Sequence, residues 1–340
     1  MRFLGIIVLV YCLCGCSQPK ESLPEEEVYA GAYRLSSDGR VLEKWTKRNS
    51  KKIDMRESQN LSRTEEIGAG AFELHNFLEE IVLSENVKRL GTRAFGTCRY
   101  LQNVTLPAHL VEIGAGAFEQ CKMLESVRLP SGLKTIGPAA FEDCTRITTV
   151  ELSEHLQTLG GDAFSGCTSL RKITLPERLE VIGNGAFSGC KALSSVVIPK
   201  GVITIDGWAF GNCENIVEVV IGENVKEIKE YAFYRNLHIE KIVIPNSVQF
   251  IGKGAFEACE ALRELTIGNG VTVMEDSAFS YAYNLETLTL EAAAPQFAPL
   301  SLTTMYHIKT IYVPAESVAA YKGDSVFGWK EYAWAIQAKP

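Results

Sequence analysis

Seven cysteines stand at one position of a repeated pattern, each three residues after a phenylalanine: Cys98, Cys121, Cys144, Cys167, Cys190, Cys213 and Cys259. Thiols at a fixed spacing could form disulfides, bind a metal ion or stay free inside a core. No Cys-x-x-Cys pair gives the tetrahedral spacing of a zinc site, so we expect no metal. We predict buried free thiols, because cysteine fills small apolar gaps well, with a few disulfides between neighbouring units as the alternative.

The other residues with catalytic potential do not converge on one place. The five histidines fall at different positions of the repeat and form no constellation with Ser, Asp or Glu. The Gly-x-Gly stretch at residues 68–70 lacks the strand and helix that flank a phosphate loop. We therefore predict no catalysis and no cofactor. A net charge of −7 without a Lys/Arg stripe argues against nucleic acid as a partner.

An Ala-Phe dipeptide returns every 23 residues, ten times without insertion or deletion: Phe72, Phe95, Phe118, Phe141, Phe164, Phe187, Phe210, Phe233, Phe256 and Phe279. Leu or Ile follows six residues later, and apolar residues at nine and eleven alternate as a half-buried strand requires. Such a period indicates a leucine-rich-repeat solenoid, in which each coil buries its apolar side against its neighbours.

Glycine occupies one further position in six coils, namely Gly91, Gly114, Gly137, Gly160, Gly183 and Gly252. This recurrence predicts a backbone conformation with positive φ. Asp206, Lys229 and Glu275 hold the same position in other coils, so glycine is favoured there but not required.

The combined pattern L-x-x-V-x-L-P-x-x-L-x-x-I-G-x-x-A-F-x-x-C resembles the BspA-type leucine-rich repeats, also described from treponemal surface proteins. The resemblance covers about residues 33 to 340. It implies a right-handed superhelix with a parallel β-sheet on the concave face and short helical or irregular convex turns. It also implies a surface or secreted protein of a host-associated bacterium, in a family that includes adhesins for host matrix proteins.

The N-terminus is typical of a bacterial lipoprotein. A positive start precedes an apolar run from Phe3 to Leu13, which is too short to cross a bilayer. The following Leu13-Cys14-Gly15-Cys16 resembles a lipobox, which implies cleavage before Cys16 and its lipidation. We expect an outer-membrane lipoprotein exposed at the cell surface and attached to the membrane by this anchor. An ordinary secretory signal is the alternative.

The sequence divides into five segments: a signal peptide (1–15), a flexible tether (16–27), an N-terminal cap with a β-hairpin (28–60), ten repeats (61–294), and a degenerate eleventh repeat with a C-terminal cap (295–340). Asp38-Gly39 between two alternating runs predicts the hairpin, to which residues 53–55 add a strand. The aromatic residues Trp329, Tyr332 and Trp334 are predicted to close the core at the other end.

The residues ten positions after each phenylalanine are predicted to point outward from the sheet and form the candidate binding surface. Arg128 and Glu151 lie on adjacent strands and could pair across the ladder. Val197, Val220 and Val243 form an exposed apolar stripe, which can mark an interaction site, although β-branched residues suit any exposed strand. A second candidate contact area comprises Trp208, Tyr231, Tyr234, Tyr281 and Tyr283.

These observations favour a lipid-anchored envelope protein that binds another macromolecule, a host protein or a glycan, in the manner of an adhesin. The alternative is a structural or accessory lipoprotein of an outer-membrane complex without an external ligand. The sequence indicates no oligomeric state.

Overall fold

The computed structural model describes residues 29–297 and 305–340, which stack into a β-solenoid. Most 23-residue coils contribute two short strands, and within each of six sheets the equivalent strands of successive coils pair in parallel and in register. The coils are numbered here by their phenylalanines, from Phe72 in coil 1 to Phe279 in coil 10. The predicted leucine-rich-repeat solenoid is confirmed.

The first ladder, called the front ladder here, lies between six and twelve residues after each phenylalanine. Its strands are Lys52–Asp54, Glu80–Val82, Asn103–Thr105, Thr149–Glu151, Lys172–Thr174, Ser195–Val197, Glu218–Val220, Lys241–Ile244, Glu264–Ile267, Thr287–Leu290, Thr310–Val313 and Ile336–Ala338. Coil 3 contributes only an isolated bridge between Val127 and Val150.

The second ladder, the side ladder, is made of shorter strands. They are Tyr33–Leu35, Val41–Trp45, Glu66–Ile67, Arg89–Leu90, Glu112–Ile113, Thr135–Ile136, Thr158–Leu159, Val181–Ile182, Thr204–Ile205, Glu227–Ile228, Phe250–Ile251 and Val273–Met274. Inward residues of both ladders form one continuous apolar core.

The helices of the described residues are short and lie near the two ends of the solenoid. The 3-10 helices are Met55–Glu57, Leu61–Arg63, Ala315–Ser317 and Trp329–Tyr332, and the α-helix is Val318–Gly323. Across residues 29–297 and 305–340, none of the helices has the length and apolarity that crossing a membrane requires.

The ten repeat phenylalanines form a single stack through the core. Neighbouring ring centroids lie 4.9 to 5.6 Å apart, and the ring planes agree within 12°. Trp45 closes the N-terminal end of this stack, with its ring 5.6 Å from that of Phe72. The alanine before each phenylalanine is buried, because the next coil leaves no space for a larger side chain.

The recurrent glycines do not have positive φ, so that prediction was wrong. Their role is close approach between coils. A Cβ added at Gly91, Gly114, Gly137, Gly160, Gly183 or Gly252 would lie 2.4 to 2.8 Å from a backbone atom of the preceding coil. Only hydrogen fits between backbones at that separation, so glycine lets the coils stack closely.

Positive φ occurs instead on both sides of each phenylalanine. In all ten coils the residues two before and two after it have φ between 52° and 70°, and fourteen of these residues are not glycine. This geometry turns alternate N–H groups toward the next coil: Arg93, Phe95 and Thr97 donate to Ala115, Ala117 and Glu119 at 2.7 to 2.8 Å. Hydrogen bonds between coils therefore offset the backbone strain.

Replacing Gly160 by alanine is expected to lower the free energy of unfolding by about 1–3 kcal/mol. The new Cβ would lie 2.4 Å from the backbone nitrogen of Pro138, so two coils must move apart. Gly132→Ala is a matched control, because its Cβ would meet nothing closer than the Ala108 oxygen at 3.7 Å. Urea denaturation of both variants measures the difference; equal midpoints would mean that the coils separate without cost.

The predicted hairpin is present at the N-terminus. Tyr33–Leu35 pairs antiparallel with Val41–Trp45, and the second of these strands pairs in parallel with Glu66–Ile67 of the side ladder. The strand Lys52–Asp54 does not extend the hairpin as predicted, but pairs with Glu80–Val82 and begins the front ladder. Lys52–Asp54 runs in the same direction as Glu80–Val82, so the two strands can pair in parallel as the other front-ladder strands do.

The C-terminal cap closes the other end. Trp329 is fully buried, and its indole N–H donates to the Phe297 carbonyl at 2.8 Å. Tyr321 packs edge-on against Trp329, with the ring centroids 5.9 Å apart. Trp334 was expected in this core but is 69% exposed, because Trp329 and Tyr321 already fill the space.

Candidate functional site

The seven column cysteines are buried and free, as predicted. Each thiol donates to the carbonyl oxygen of the phenylalanine one coil earlier, with Sγ to oxygen distances of 3.1 to 3.5 Å. The thiols therefore point along one row of carbonyls and not toward one another. Six of these seven carbonyl oxygens also accept the backbone N–H three residues later in the turn, so the thiol supplies a second hydrogen bond to an oxygen inside the core.

Other residues at the same position support this structural role. Asn236 donates through Nδ2 to the Phe210 carbonyl at 2.9 Å, in place of a thiol. His75 takes the position in coil 1 and is buried, and its Nε2 has no hydrogen-bond partner within the described chain. Burial lowers the pKa of His75, so its ring stays neutral at physiological pH.

The thiol column is unsuited to nucleophilic chemistry. Burial raises the pKa of Cys98, Cys213 and Cys259 to about 12. The thiolate, which is the reactive form, is therefore scarce at neutral pH. Within the part of the chain that the structure describes, no group of three or more His, Cys, Asp or Glu side chains is placed to hold a metal ion.

The candidate binding surface lies on the outward side of the front ladder. Arg128, Glu151, Val197, Val220 and Val243 come from coils 3, 4, 6, 7 and 8, and all five are exposed. Val197 and Val220 are register partners on neighbouring strands. At about 4.8 Å per strand, the row from Arg128 to Val243 spans roughly 24 Å, a length suited to a macromolecular ligand.

The half of this row nearer the N-terminus is polar and grooved. Arg128 lines an open groove of about 450 Å³ with Thr105 and Pro130. Glu151 lines another of about 660 Å³ with His155 and Arg178. In each groove a charged side chain lies beside apolar residues. Polar groups placed in this way can fix the orientation of a bound ligand.

The expected pairing of Arg128 with Glu151 is absent, since no salt bridge joins them in the described structure. The strand that carries Arg128 is reduced to the bridge between Val127 and Val150, so its neighbours are not held in a regular ladder. Arg146 pairs with Glu125 instead, at 3.4 Å. Arg128 and Glu151 therefore remain available to a ligand.

The half nearer the C-terminus is apolar. Val197, Val220 and Val243 are 60%, 45% and 48% exposed. Val217, which the sequence pattern does not predict, is 58% exposed. Val217 lies just before the strand of coil 7 and widens the stripe. We call these four residues the valine patch. Exposed apolar patches of this kind often mark contact sites.

Charged side chains border the valine patch. Lys241 lies beside Val243 on the same strand and pairs with Glu264 at 2.7 Å. A groove of about 640 Å³ leads from Val243 toward the salt bridge between Glu291 and Lys339. Such exposed pairs add little stability, but a polar border around an apolar centre is typical of protein interfaces.

The aromatic residues divide into two groups. Trp208 stacks on Tyr231 with ring centroids 4.8 Å apart, and Tyr234 lies edge-on to both at 5.3 and 5.7 Å. Tyr281 and Tyr283 form a separate pair with centroids 5.8 Å apart. We call the first group the aromatic platform; it lies on the phenylalanine turns of coils 7 and 8, away from the valine patch.

The predicted lipidation site, Cys16, lies outside the described residues.

Comparison with known proteins agrees with the fold. A family model described as BspA type leucine-rich repeat region matches residues 65–194 and 181–302, with six copies. No curated protein matches the sequence.

Three solved structures are similar to this chain. A leucine-rich repeat protein from Bacteroides ovatus has a TM-score of 0.55 at 19% identity, covering 91% of this chain and 98% of that one. A leucine-rich cell surface protein from Faecalibacterium prausnitzii has a TM-score of 0.53 at 20% identity, covering 87% and 97%. The pneumococcal vaccine antigen PcpA has a TM-score of 0.50 at 18% identity, covering 91% and 82%. At these identities the likeness is one of fold.

Proposed function

The chain belongs to the BspA type leucine-rich repeat family, and on that basis we propose that it is a lipid-anchored envelope protein that binds a macromolecule through its front ladder. The observation that carries this proposal is the valine patch. Val197 and Val220 are in register on adjacent strands, and both remain exposed although the core beneath them is fully packed. Fold stability does not require three successive valines on the solvent side of a sheet.

A protein is the ligand that best fits the valine patch. Burial of these side chains would remove apolar area from water, at about 25 cal/mol per Å². Arg128 and Glu151, farther along the same row, offer charges that could fix the register of the partner. In this proposal the surface acts by binding alone, without catalysis.

The proposed location rests on the N-terminal sequence. Lipidation of Cys16 would anchor the chain, since several acyl chains hold a protein on a membrane where one chain is marginal. Residues 16–27 would hold the solenoid away from the bilayer. The relative from Faecalibacterium is described as a cell surface protein, and we propose the same placement here.

Substitution Val220→Asp is expected to weaken binding by about 30-fold, because a charge at the centre of an apolar contact loses its hydration. The measurement is binding of the purified full chain to an array of host matrix proteins and glycans. Thr158→Asp is the matched control, because Thr158 is also an exposed strand residue but lies on the side ladder. Equal affinity of wild type and Val220→Asp for every array ligand would contradict the role of the valine patch.

Protease treatment of intact cells separates this function from that of an accessory lipoprotein without an external ligand. A surface-exposed solenoid is expected to be degraded or released from intact cells. A protein that faces the periplasm would be degraded only after the outer membrane is opened. Protection in intact cells would contradict the proposed surface role.

A further inference from the structure

The residue two positions before each phenylalanine has positive φ in all ten coils, and four coils place glycine there: Gly70, Gly116, Gly185 and Gly254. Coils 7 and 8 instead place Trp208 and Tyr231 there, both with φ of 56°. Positive φ is uncommon for residues other than glycine and unfavourable for bulky ones. The fold therefore does not call for two large aromatic side chains at this position in successive coils.

The rings of the aromatic platform lie against glycine backbone. A Cβ at Gly254 would come within 2.5 Å of Cε1 of Tyr231, and one at Gly211 within 2.9 Å of Cε3 of Trp208. These two glycines leave the space that the rings occupy. The rings are half-buried and stacked, so little side-chain freedom remains to be lost when a ligand binds.

Polar atoms surround the aromatic platform at short range. Asn184 Nδ2 and Glu230 Oε1 lie 2.9 and 3.0 Å from the point where a Cβ of Gly207, the neighbour of Trp208, would stand. Glu257 Oε2 lies 2.7 Å from the corresponding point at Gly254, on the side of Tyr231. An amide and two carboxylates thus lie beside the glycines that flank the rings, with donors and acceptors suited to hydroxyl groups.

Positive charge does not dominate around the aromatic platform. Asp206 and Lys229 form a salt bridge at 3.2 Å, each two residues before a ring of the platform. Lys253 and Arg235 are accompanied by Glu230 and Glu257, and the backbone N–H of Lys253 donates to Glu275 Oε2 at 2.8 Å, so the carboxylates are no fewer than the cations. Such a surface has no net field to attract a polyanion.

We propose that the aromatic platform is a second binding site and that its ligand is a neutral polysaccharide. The C–H face of a sugar ring is apolar and packs on an aromatic face, while the sugar's hydroxyl groups pair with carboxylates and amides at its edge. Both kinds of group are present here, side by side. Because Trp208 and Tyr231 stack on each other and Gly254 lies against Tyr231, a chain of sugars would contact the parts of these rings that the stack leaves exposed on coils 7 and 8. This proposal does not depend on the valine patch.

The test uses the double variant Trp208→Gly and Tyr231→Gly. Glycine is native at this position in four other coils, and relief of the positive φ offsets part of the ring packing that is lost, so the variant is expected to fold; its unfolding midpoint is measured beside that of the wild type. The full chain in detergent is titrated with mannan, laminarin and cellohexaose by calorimetry and affinity electrophoresis. We expect the wild type to bind at least one of them, and the double variant to bind it about tenfold more weakly or worse. Tyr100→Ala, an exposed aromatic residue in coil 2, should bind as the wild type does.

Three results would overturn this proposal. In the first, the wild type binds none of these neutral polysaccharides. In the second, the double variant binds them as well as the wild type does. In the third, the double variant loses only the binding of heparin or of a protein. None of these bears on the front ladder, because Val220→Asp should leave polysaccharide binding unchanged. Loss of protein binding in Val220→Asp with no polysaccharide binding would retain the proposed function and remove only the second site.

Discussion

Truncation of Phe164 to alanine is expected to lower the free energy of unfolding by about 3–5 kcal/mol. The side chain is fully buried, and its ring lies 5.1 Å from that of Phe141 and 5.6 Å from that of Phe187. Removing it leaves a void at the interfaces with two coils at once. Because each coil is stabilised only through its neighbours, the loss affects both halves of the array.

Urea denaturation followed by circular dichroism measures this loss. Phe77→Ala is the control, since Phe77 is 58% exposed and its truncation should change stability by no more than about 0.5 kcal/mol. Unchanged midpoints for both variants would contradict the role of the phenylalanine stack in holding the coils together.

Alkaline pH is expected to destabilise the folded chain steeply through the thiol column. Burial raises the folded pKa of the thiols, to about 12 for Cys98, Cys213 and Cys259, while an unfolded cysteine titrates near pH 8.5. The folded state therefore holds protons that the unfolded state releases. The stabilisation is complete below pH about 8.5 and is lost as the pH rises toward the folded values.

The expected slope is large because the thiols act together. Each one costs about 1.4 kcal/mol per pH unit between its unfolded and folded pKa, so seven cost about 10 kcal/mol per pH unit. The double variant Cys121→Ala and Cys190→Ala should reduce the slope by about two sevenths. Lysine and tyrosine side chains also titrate at alkaline pH, but both proteins contain the same ones. Their contribution therefore cancels in the difference between the two slopes. Identical slopes would contradict the burial of these thiols.

The period, the stack of phenylalanines and the free thiols could be predicted because each follows from one residue type at a fixed spacing. The role of Gly160 could not, because a recurrent glycine is equally consistent with positive φ and with close approach of another backbone. Only the structure, which brings Gly160 against Pro138, distinguishes them. The positive φ of Trp208 was likewise hidden, because no residue type is common to that position in all coils.

The candidate site was predictable in part. Strand alternation places Val197 and Val220 on the outward side, as the structure also does. Val217 was missed, because it precedes the strand and the alternation does not extend to it. The lack of a salt bridge between Arg128 and Glu151 goes with the weakened ladder at coil 3, where only Val127 and Val150 form a bridge, and the repeat pattern does not predict that weakening.

The most direct test of the central claim is site-specific photocrosslinking on the front ladder. A photoreactive amino acid is placed at position 220 in one chain and at position 158 in another, and each is incubated with the protein that the array identifies. The valine patch predicts a crosslinked product from position 220 and none from position 158. Equal crosslinking from both positions, or crosslinking from position 158 alone, would contradict it.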